Sequence, residues 1–317
     1  MEQNDFYVTD EVAGCRLDKA ITLLCPDLSR NSAQQLIETG NILVNGVVSN
    51  KKYSVISGDV VSVDFPEPTN LSVEAENIPL DIVYEDENIM LVNKPQGLIV
   101  HPDDTEYRDT LIMRIQHHLY KTGEFRPEDE ASFKPALVNR IDRNTGGIVI
   151  AAKTAAALRI LNRMLKIREI DKFYLCVVHG KMPKKQDVLE GYLEKDEDKN
   201  IAKIKKSKSE NNRSIRTKYR VIAEKSDLSL LEIELLTGRT HQIRAHLSSI
   251  GHPLLGDGKY GKLKDDKKLG FNKQALCSYK LTFDFKTDAG ELEYLKGKTF
   301  KLNTVWFVDE LFPNVKY

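Results

Sequence analysis

The stretch that most limits how this chain can fold is PEPTNLSVEAENIP, residues 66–79. It combines proline with glutamate and shows neither helical nor strand periodicity, which is typical of a linker. The segments on either side of it each carry their own hydrophobic pattern. We therefore expect a small domain over residues 13–65 and a large domain over residues 80–317.

The small domain has a helix-helix-strand order. Apolar residues recur at helical spacing between Leu17 and Leu24, and Ser29 can cap a second helix. The run 42–44 leads into an Asn45-Gly46 turn, and residues 60–65 alternate as in a half-buried strand. This pattern predicts a compact αα-β unit.

The large domain mixes strands and helices without the regular strand-helix repeat of a parallel sheet. LDIVYEDENIMLVNKP, residues 80–95, predicts two strands around a turn at 85–87, and residues 230–236 alternate apolar and acidic side chains. We expect an α+β domain: a mostly antiparallel mixed sheet flanked by helices, with a central cleft.

The composition argues against a membrane-spanning or disulfide-rich protein. The apolar runs are much shorter than the ~20 residues that span a bilayer, and the amino terminus is acidic and polar. Cys15, Cys25, Cys176 and Cys277 are scattered without a Cys-x-x-Cys pair, which favours free thiols in a reducing compartment. We expect a cytoplasmic protein with no membrane partner.

The segment VNRIDRNTGGIVIAAKT, residues 138–154, places an acidic residue in front of a buried strand. With Gly146-Gly147 as the turn and Ile148–Ala151 as the strand, Asp142 lies on the entering loop, where a rigid scaffold can present a catalytic side chain. For an isolated Arg-x-Asp, a structural ion pair is the more common explanation. A phosphate-binding loop is excluded, because Ala152 stands where that loop needs glycine and the β-branched run favours extended backbone.

A second candidate element is LTGRTHQIRAHL, residues 236–247. Thr240 can cap a helix whose buried face is formed by Ile243, Leu247 and Ile250. Three polar side chains then lie off the centre of that face, near a helix amino terminus that favours anions: Gln242, Arg244 and His246. A metal site at His241, His246 and His252 is disfavoured, because their spacing does not align them on one helical face.

A third candidate element is Lys172-Phe173-Tyr174, which opens the alternating segment KFYLCVVHG after a helical pattern at residues 157–166. Tyr174 can simply pack within a strand. In an enzyme that acts on nucleic acid, it can instead stack on a base.

These three elements, in this order and at these intervals, resemble the RluA/RluD-type pseudouridine synthases. The resemblance extends to residues 82–102 and is most distinctive in TGRTHQIRAHLSSIGHPLLGDGKYG, residues 237–261. The small domain is similar to the S4 RNA-binding domain, which precedes the catalytic domain in one branch of that family. The resemblance implies an enzyme that isomerises uridine in RNA to pseudouridine, a reaction that needs no cofactor and no metal.

The resemblance also implies roles for individual residues. Asp142 would be the essential carboxylate, Arg244 its cationic partner, and Tyr174 the ring under the target base. Arg140 would fill the space that a flipped base leaves. Four further residues are implied as substrate contacts: Thr145, Arg239, His241 and Gln242.

This chain departs from the family's usual catalytic loop, His-Arg-Leu-Asp-x-x-Thr-Ser-Gly. Asn139, Ile141 and Gly146 replace the His, Leu and Ser, while Gly147 matches the final Gly. Downstream, Leu276-Cys277-Ser278 stands where the family often has Leu-His-Ala. Because Asp142 is retained, we expect these differences to alter loop geometry or substrate choice and to leave the chemistry intact.

Contacts with RNA are predicted in both domains. In the small domain, they are Arg16, Lys19 and Arg30, at the starts of the two helices. In the large domain, residues 201–220 hold eight Lys or Arg against one Glu, and the predicted phosphate contacts are Lys203, Lys205, Lys206 and Lys208. The competing interpretation of this basic block is a solvated hairpin with charged strands.

Two functions remain open from the sequence. The first is a pseudouridine synthase that acts on large-subunit ribosomal RNA, with transfer RNA as a second candidate substrate. The second is a catalytically idle RNA-binding protein of the same fold, serving as a ribosome-assembly factor or an RNA chaperone. In either case we expect a monomer.

Overall fold

The computed structural model describes residues 3–25, 28, 30–64, 78–102, 109–127, 133–196, 201–268 and 270–317. The chain divides into two compact units, one of Met1–Ile78, Ile112–Ala136 and Ala152–Arg159, the other of Pro79–Leu111, Leu137–Ala151 and Ile160–Tyr317. Residues 66–77 of the expected linker lie outside the described residues, so the domain limits drawn from the sequence stay a prediction. None of the described helices is long and apolar enough to cross a membrane.

The amino-terminal part of the chain forms a four-stranded antiparallel sheet and two helices. Its elements are β1 (Gln3–Tyr7), α1 (Leu17–Leu24), α2 (Arg30–Glu38), β2 (Ile42–Val44), β3 (Val47–Val48) and β4 (Val60–Asp64). The strand order is β1-β4-β2-β3. The two helices and the strands β2 and β4 confirm the sequence prediction, and Asn45 and Gly46 form the expected turn with φ of 52° and 77°. Ser29, the predicted cap of α2, lies outside the described residues.

Strand β1 was not predicted, because its sequence, QNDFY, is mostly polar. It is defined by its pairing with β4 along its full length. The core of this unit is an apolar cluster that includes Leu17, Ile21, Ile42 and Val61, all nearly inaccessible to solvent. Burial of these side chains provides the main stabilising free energy of the unit.

The rest of the chain is longer and richer in strands. Its strands are β5 (Ile82–Glu85), β6 (Ile89–Lys94), β7 (Ala136–Leu137), β8 (Gly146–Ala152), β9 (Ile170–His179), β10 (Gln186–Asp196), β11 (Ile201–Lys205), β12 (Asn212–Lys225), β13 (Leu228–Glu234), β14 (Leu276–Phe283) and β15 (Thr299–Lys301). Its helices are α3 (Leu111–Lys121), α4 (Ala155–Ile167), α5 (Gln242–Ser249), α6 (Leu263–Lys268) and α7 (Trp306–Leu311), together with a 3-10 helix at Gly290–Leu295.

The strands β5 to β15 belong to one mixed sheet. Its order in the described chain is β11-β10-β12-β13-β9-β14-β8-β6-β5, with β15 beside β14 and β7 beside β8. β8 and β14 run parallel, whereas β9 is antiparallel to both of its neighbours. β8 is buried along its whole length, as its apolar run predicted. The α+β fold with a mostly antiparallel mixed sheet is therefore confirmed.

Helix α5 differs from its prediction in both its start and its exposed side. It begins after His241, whose left-handed backbone (φ 56°) turns the chain into the helix, and no side chain caps it, so the assignment of Thr240 as the cap is wrong. Ile250 is 38% exposed, whereas Gln242, Arg244 and His246 are all buried. Ile243 and Leu247 are buried as the periodicity indicated, and Gln242, Arg244 and His246 form buried hydrogen bonds on the other sides of the helix.

The basic block 201–220 is not a hairpin, because β10 lies between β11 and β12 and pairs with both. Along β12, buried Ile215, Thr217 and Tyr219 alternate with exposed Arg216, Lys218 and Arg220. The charged side chains thus share the face of the sheet that points away from its buried side.

Candidate active site

A buried lysine, Lys94, forms hydrogen bonds to the main chain around the loop that carries Asp142. The Lys94 side chain is fully inaccessible, and its ammonium donates to the carbonyl oxygens of Pro95 at 2.9 Å, Leu98 at 2.7 Å and Arg143 at 3.1 Å. Burial lowers the pKa of Lys94 to about 7, against the opposing effect of the Asp142 charge. Lys94 thus fixes the main chain next to Asp142.

Two glutamines, Gln96 and Gln274, form further hydrogen bonds to this loop. Gln96 Nε2 donates to the carbonyl oxygens of Asn144 at 2.9 Å and Gln274 at 2.6 Å, and Gln274 Nε2 donates to Thr145 Oγ1 at 2.9 Å. The Thr145 amide in turn donates to the carbonyl oxygen of Asp142 at 3.0 Å. Thr145 is buried, and its amide and hydroxyl both form hydrogen bonds within the protein. This geometry favours a role in holding the Asp142 loop over a direct contact with substrate.

Two departures from the family's loop, Asn139 and Gly146, have local explanations, and so does the matching Gly147. Asn139 Oδ1 accepts a hydrogen bond from the Ile150 amide at 2.8 Å and so ties the loop to β8. A Cβ at Gly146 would lie 3.3 Å from Gln96 Cγ, which leaves little room for a larger residue. At Gly147, φ is 114° and a Cβ would come within 2.2 Å of the Ser278 carbonyl oxygen, so only glycine fits there.

The centre of the site is an arginine between two carboxylates. Arg244 Nη1 donates to Asp142 Oδ2 at 2.9 Å, while Nε and Nη2 form a forked pair with Asp257 at 2.7 and 2.9 Å. The contact between Asp142 and Arg244, which the family resemblance implied, is therefore present. Among the described residues, nothing donates a hydrogen bond to Asp142 Oδ1, which leaves this oxygen available for chemistry.

Asp257 was missed in the sequence, although it lies in the distinctive segment between Gly256 and Gly258. It is fully buried and also accepts hydrogen bonds from the amides of Lys259 and Tyr260. Burial alone would raise its pKa, but the hydrogen bonds and charge of Arg244 hold the pKa below the usual range. A lone acid in a Gly-Asp-Gly turn was the signal that could have revealed it.

The same two carboxylates keep Arg244 charged. Burial disfavours its cation, but the hydrogen bonds and charges of Asp257 and Asp142 raise its pKa overall. A forked arginine-carboxylate pair also fixes the guanidinium plane, which a lysine could not do. Asp257 thus orients Arg244, and Arg244 orients Asp142.

His241 approaches Asp142 from the start of α5. Its Nε2 lies 3.7 Å from Asp142 Oδ2, and its Nδ1 lies 3.0 Å from Tyr260 Oη. Burial, reinforced by the charges of Arg244 and Lys259, lowers the pKa of His241 to about 4. The imidazole is therefore neutral near pH 7, and its contact with Asp142 is not an ion pair.

These groups line a cleft of about 290 Å³. This volume lies at the lower end of the ~300–1,000 Å³ typical of ligand pockets, which suits a single base. Its lining consists of Val138–Asp142, Thr145, Leu165, Lys172, Tyr174, Leu235, Gly238–Arg244 and Leu276. Burial raises the pKa of Tyr174 to about 12, so its phenol is neutral.

Lys172 is a further lining residue that the sequence did not assign to the site. Burial lowers the pKa of its ammonium. A Cβ at Gly238 would lie 3.6 Å from Lys172 Nζ, so this glycine leaves space for the lysine side chain.

The remaining predicted substrate contacts differ in how many hydrogen bonds their side chains already form within the protein. Gln242 uses its amide fully: Oε1 accepts from Thr237 at 2.8 Å and from the Arg239 amide at 3.2 Å, and Nε2 donates to Arg216 and Thr217. It therefore braces the 237–239 loop. By contrast, Arg140 and Arg239 are exposed at the cleft.

The predicted RNA contacts of the amino-terminal unit can be placed only in part. Arg16 pairs with buried Asp18 at 3.1 Å, and Lys19 is exposed. Arg30 begins α2, but its side chain lies outside the description. No cluster of three or more described His, Cys, Asp or Glu side chains could hold a metal ion.

Comparison with known proteins identifies the family. Residues 88–249 match the RNA pseudouridylate synthase family, and residues 15–61 match the S4 domain. An uncharacterized RNA pseudouridine synthase of Bacillus subtilis (strain 168), YlyB, is 33% identical over 295 residues, covering 93% of this chain and 94% of its own. The chain belongs to the RNA pseudouridylate synthase family.

Other similar proteins agree with this assignment. The ribosomal large subunit pseudouridine synthase D of Zymomonas mobilis is 35% identical over 290 residues, covering 89% of this chain and 90% of its own. The structure of human RNA pseudouridylate synthase domain containing 4 has a TM-score of 0.57 at 22% identity, covering 74% of this chain and 94% of that one, and it supports the fold. As a member of this family, the chain is a pseudouridine synthase, an isomerase that acts on RNA, with an S4 domain before its catalytic domain.

Proposed function

We propose that this pseudouridine synthase modifies specific uridines of large-subunit ribosomal RNA, with Asp142 as its essential carboxylate. The observation that carries the proposal is the position of Asp142 in a base-sized cleft, with one oxygen bound to Arg244 and the other receiving no hydrogen bond from any described residue. The choice of RNA rests on relatives named ribosomal large subunit pseudouridine synthase D, at 35% identity in both Zymomonas mobilis and Nitrosomonas europaea.

The reaction breaks the bond between N1 of uracil and C1′ of ribose, rotates the base, and forms a bond from C5 to C1′. The hydrogen on C5 is lost and N1 gains a proton, so the isomerisation is balanced without another reactant. Asp142 must be ionised either to attack the nucleoside or to deprotonate it. The buried cation of Arg244, 2.9 Å away, favours that ionised form.

Besides the charged Asp142 and Arg244, the cleft contains neutral Tyr174, which can contact an uncharged base. Tyr174 remains protonated near pH 7 because its pKa is raised to about 12, and its ring offers a surface on which uracil can stack. The target must first leave its helical stack, which costs a few kcal/mol. Exposed Arg140, at the cleft, is the residue that we assign to the vacated space, since a flat guanidinium stacks well on bases.

The decisive test is Asp142→Asn, which keeps the shape of the side chain and removes its charge. We expect no detectable release of tritium from RNA labelled at C5 of uridine, with RNA binding and the melting temperature nearly unchanged. Retention of about a tenth of the wild-type rate would mean a loss of only ~1.4 kcal/mol, which contradicts an essential role. Asp187→Asn is the matched control, because that carboxylate pairs with exposed Lys184 on the sheet.

The RNA target can be identified in cells. Pseudouridines mapped in ribosomal and transfer RNA from cells with and without the gene should differ at defined large-subunit positions. Complementation by the Asp142→Asn gene should fail to restore them. A difference confined to transfer RNA would refute the ribosomal assignment and leave the isomerase in place.

The proposal includes an autonomous RNA-binding role for residues 13–65, which contain the S4 match. Deleting them should weaken the capture of structured RNA and preserve the catalytic fold, as measured by RNA affinity and circular dichroism. An unfolded or insoluble truncated protein would contradict the separation of the chain at the predicted linker.

A further inference from the structure

A second lysine-rich segment, which the sequence analysis did not consider, follows Asp257. We call residues 257–273 the lysine loop; Leu269 lies outside its described part. Its ends are close together, since a Cβ at Gly256 would lie 2.1 Å from the carbonyl oxygen of Lys273 and the Ala275 amide donates to the Leu255 carbonyl at 2.9 Å. The segment, which includes helix α6, therefore leaves and rejoins the fold at nearly the same place.

The lysine loop turns two of its three acids inward. Asp257 and Asp266 are both fully buried. Asp257 is paired with Arg244, and Asp266 accepts a hydrogen bond from the Gly256 amide at 2.8 Å and lies 2.9 Å from His179 Nε2. These carboxylates anchor the loop and do not reach its outer surface.

The outer surface is left strongly basic. All six lysines of the loop are exposed, against one exposed acid, Asp265. Lys268 pairs with Asp265 at 3.5 Å. Four lysines make no ion pair with any described residue: Lys262, Lys264, Lys267 and Lys273.

The loop is rooted next to the catalytic carboxylate at both of its ends. At its start, Asp257 binds Arg244, which binds Asp142. Immediately after its end, Gln274 holds Thr145 on the loop of Asp142. In between, Tyr260 contacts His241, and the charge of Lys259 contributes to the low pKa of that histidine.

We propose that the lysine loop binds the RNA phosphates that flank the target uridine. This inference rests on the proposed function, because it assumes that the nucleotide entering the cleft is part of an RNA chain. A base held in the cleft brings its neighbouring phosphates to the surface around Asp142, where the loop is rooted. Lysine ammonium groups that pair with no described acid can bind phosphates by releasing counterions, without first breaking an ion pair of the described chain.

The test compares two variants that lose the same charge. The first replaces Lys262, Lys264, Lys267 and Lys273 by Gln. The control replaces four exposed lysines at the far end of β14 and beyond, where nothing predicts RNA: Lys286, Lys296, Lys298 and Lys301. The measurement is fluorescence anisotropy of a labelled, uridine-containing ribosomal RNA hairpin across a salt series, together with tritium release at saturating enzyme.

The loop variant should bind RNA at least about tenfold more weakly at low salt, and the slope of log affinity against log salt should fall by about 0.7 for each lost contact with single-stranded RNA. Its rate at saturating enzyme should stay normal, and the control should bind nearly as the wild type does. Equal binding by the two variants would overturn the proposal.

The assay separates this proposal from the proposed function. If the wild type binds RNA but releases no tritium, the proposed function fails, and a selective loss of affinity in the loop variant still supports the lysine loop. If the wild type turns over and the loop variant binds normally, the function stands and the lysine loop is refuted.

Discussion

Two arginine-carboxylate arrangements in this enzyme have the same chemistry in opposite surroundings. Arg244 lies between Asp257 and Asp142, and the side chains of Arg244 and Asp257 are 7% and 0% exposed. Arg216 pairs with Glu190 at 2.8 Å on the outer face of the sheet, where the side chains are 47% and 65% exposed. The shortest nitrogen-oxygen distance is nearly the same in the two arrangements, whereas the exposure of the side chains to solvent differs.

The difference in burial indicates which of these ion pairs can hold a catalytic side chain in a fixed position. An exposed pair contributes ~0–1 kcal/mol, because water and salt screen it. Removing one partner of a buried pair costs ~3–5 kcal/mol, because the other charge is left uncompensated. The buried arrangement can therefore hold a catalytic group in place, whereas the exposed one can open when another ligand arrives.

Between the two arginine-carboxylate arrangements, the largest expected effect is that of Arg244→Ala. It should lower turnover by about a hundredfold or more, equivalent to ~2.7 kcal/mol, because Asp142 loses its orienting cation. Since it also leaves Asp257 unpaired, stability must be measured alongside. Arg244→Lys keeps the charge without the fork and should fold well while still losing most of its turnover.

Arg216→Ala is the matched substitution at the exposed pair. We expect its unfolding free energy and turnover to stay within the range of ordinary surface substitutions, about ±0.5 kcal/mol for stability. Should Arg216→Ala reduce turnover as much as Arg244→Ala, burial would not be what distinguishes the two arrangements.

Asp257→Asn should have an intermediate effect. It preserves an oxygen acceptor for Arg244 but removes the second carboxylate charge, so that Arg244 is less firmly held. We expect a loss of ~1–3 kcal/mol in unfolding free energy and about a tenfold fall in turnover, with RNA affinity unchanged. Full activity would show that Asp142 alone positions Arg244.

In the basic block we expect a small effect that is confined to RNA binding. Replacing Lys203, Lys205, Lys206 and Lys208 by Gln should weaken RNA binding a few-fold at low salt and flatten the salt dependence, with turnover of bound RNA nearly normal. The effect is limited because Lys203 and Lys205 already pair with Asp196 and Glu194, at 3.4 and 3.7 Å. Unchanged affinity and salt slope would leave this block as a solvated surface.

Local signals predicted much of the fold. The Asn45-Gly46 turn and the apolar run of β8 are encoded within a few residues, and both formed as expected. The start of α5 was missed because it depends on the left-handed backbone of His241, whose ring contacts distant Tyr260. A tertiary contact thus replaces the local cap that Thr240 would have supplied.

The sequence predicted less of the candidate site than of the fold. Asp142 and Arg244 are 102 positions apart, and only the family resemblance brought them together. Asp257 and Lys94 gave no periodic signal, because their roles depend on burial. The sequence also did not show how far the charge of the block 201–220 is offset, since most of the acids that pair with it come from the neighbouring strands β10 and β13.

The position of β14 has a consequence for the order in which the enzyme is made. β14 separates β8 from β9, pairing with one in parallel and with the other antiparallel, although it follows both by about a hundred residues. On a growing chain, β8 and β9 must therefore wait with unpaired edges until Phe283 has been synthesised. Non-local pairing of this kind is slow and exposes strand edges. Leu276, the first residue of β14, lines the cleft, so a chain that stops before this strand lacks part of the cleft wall.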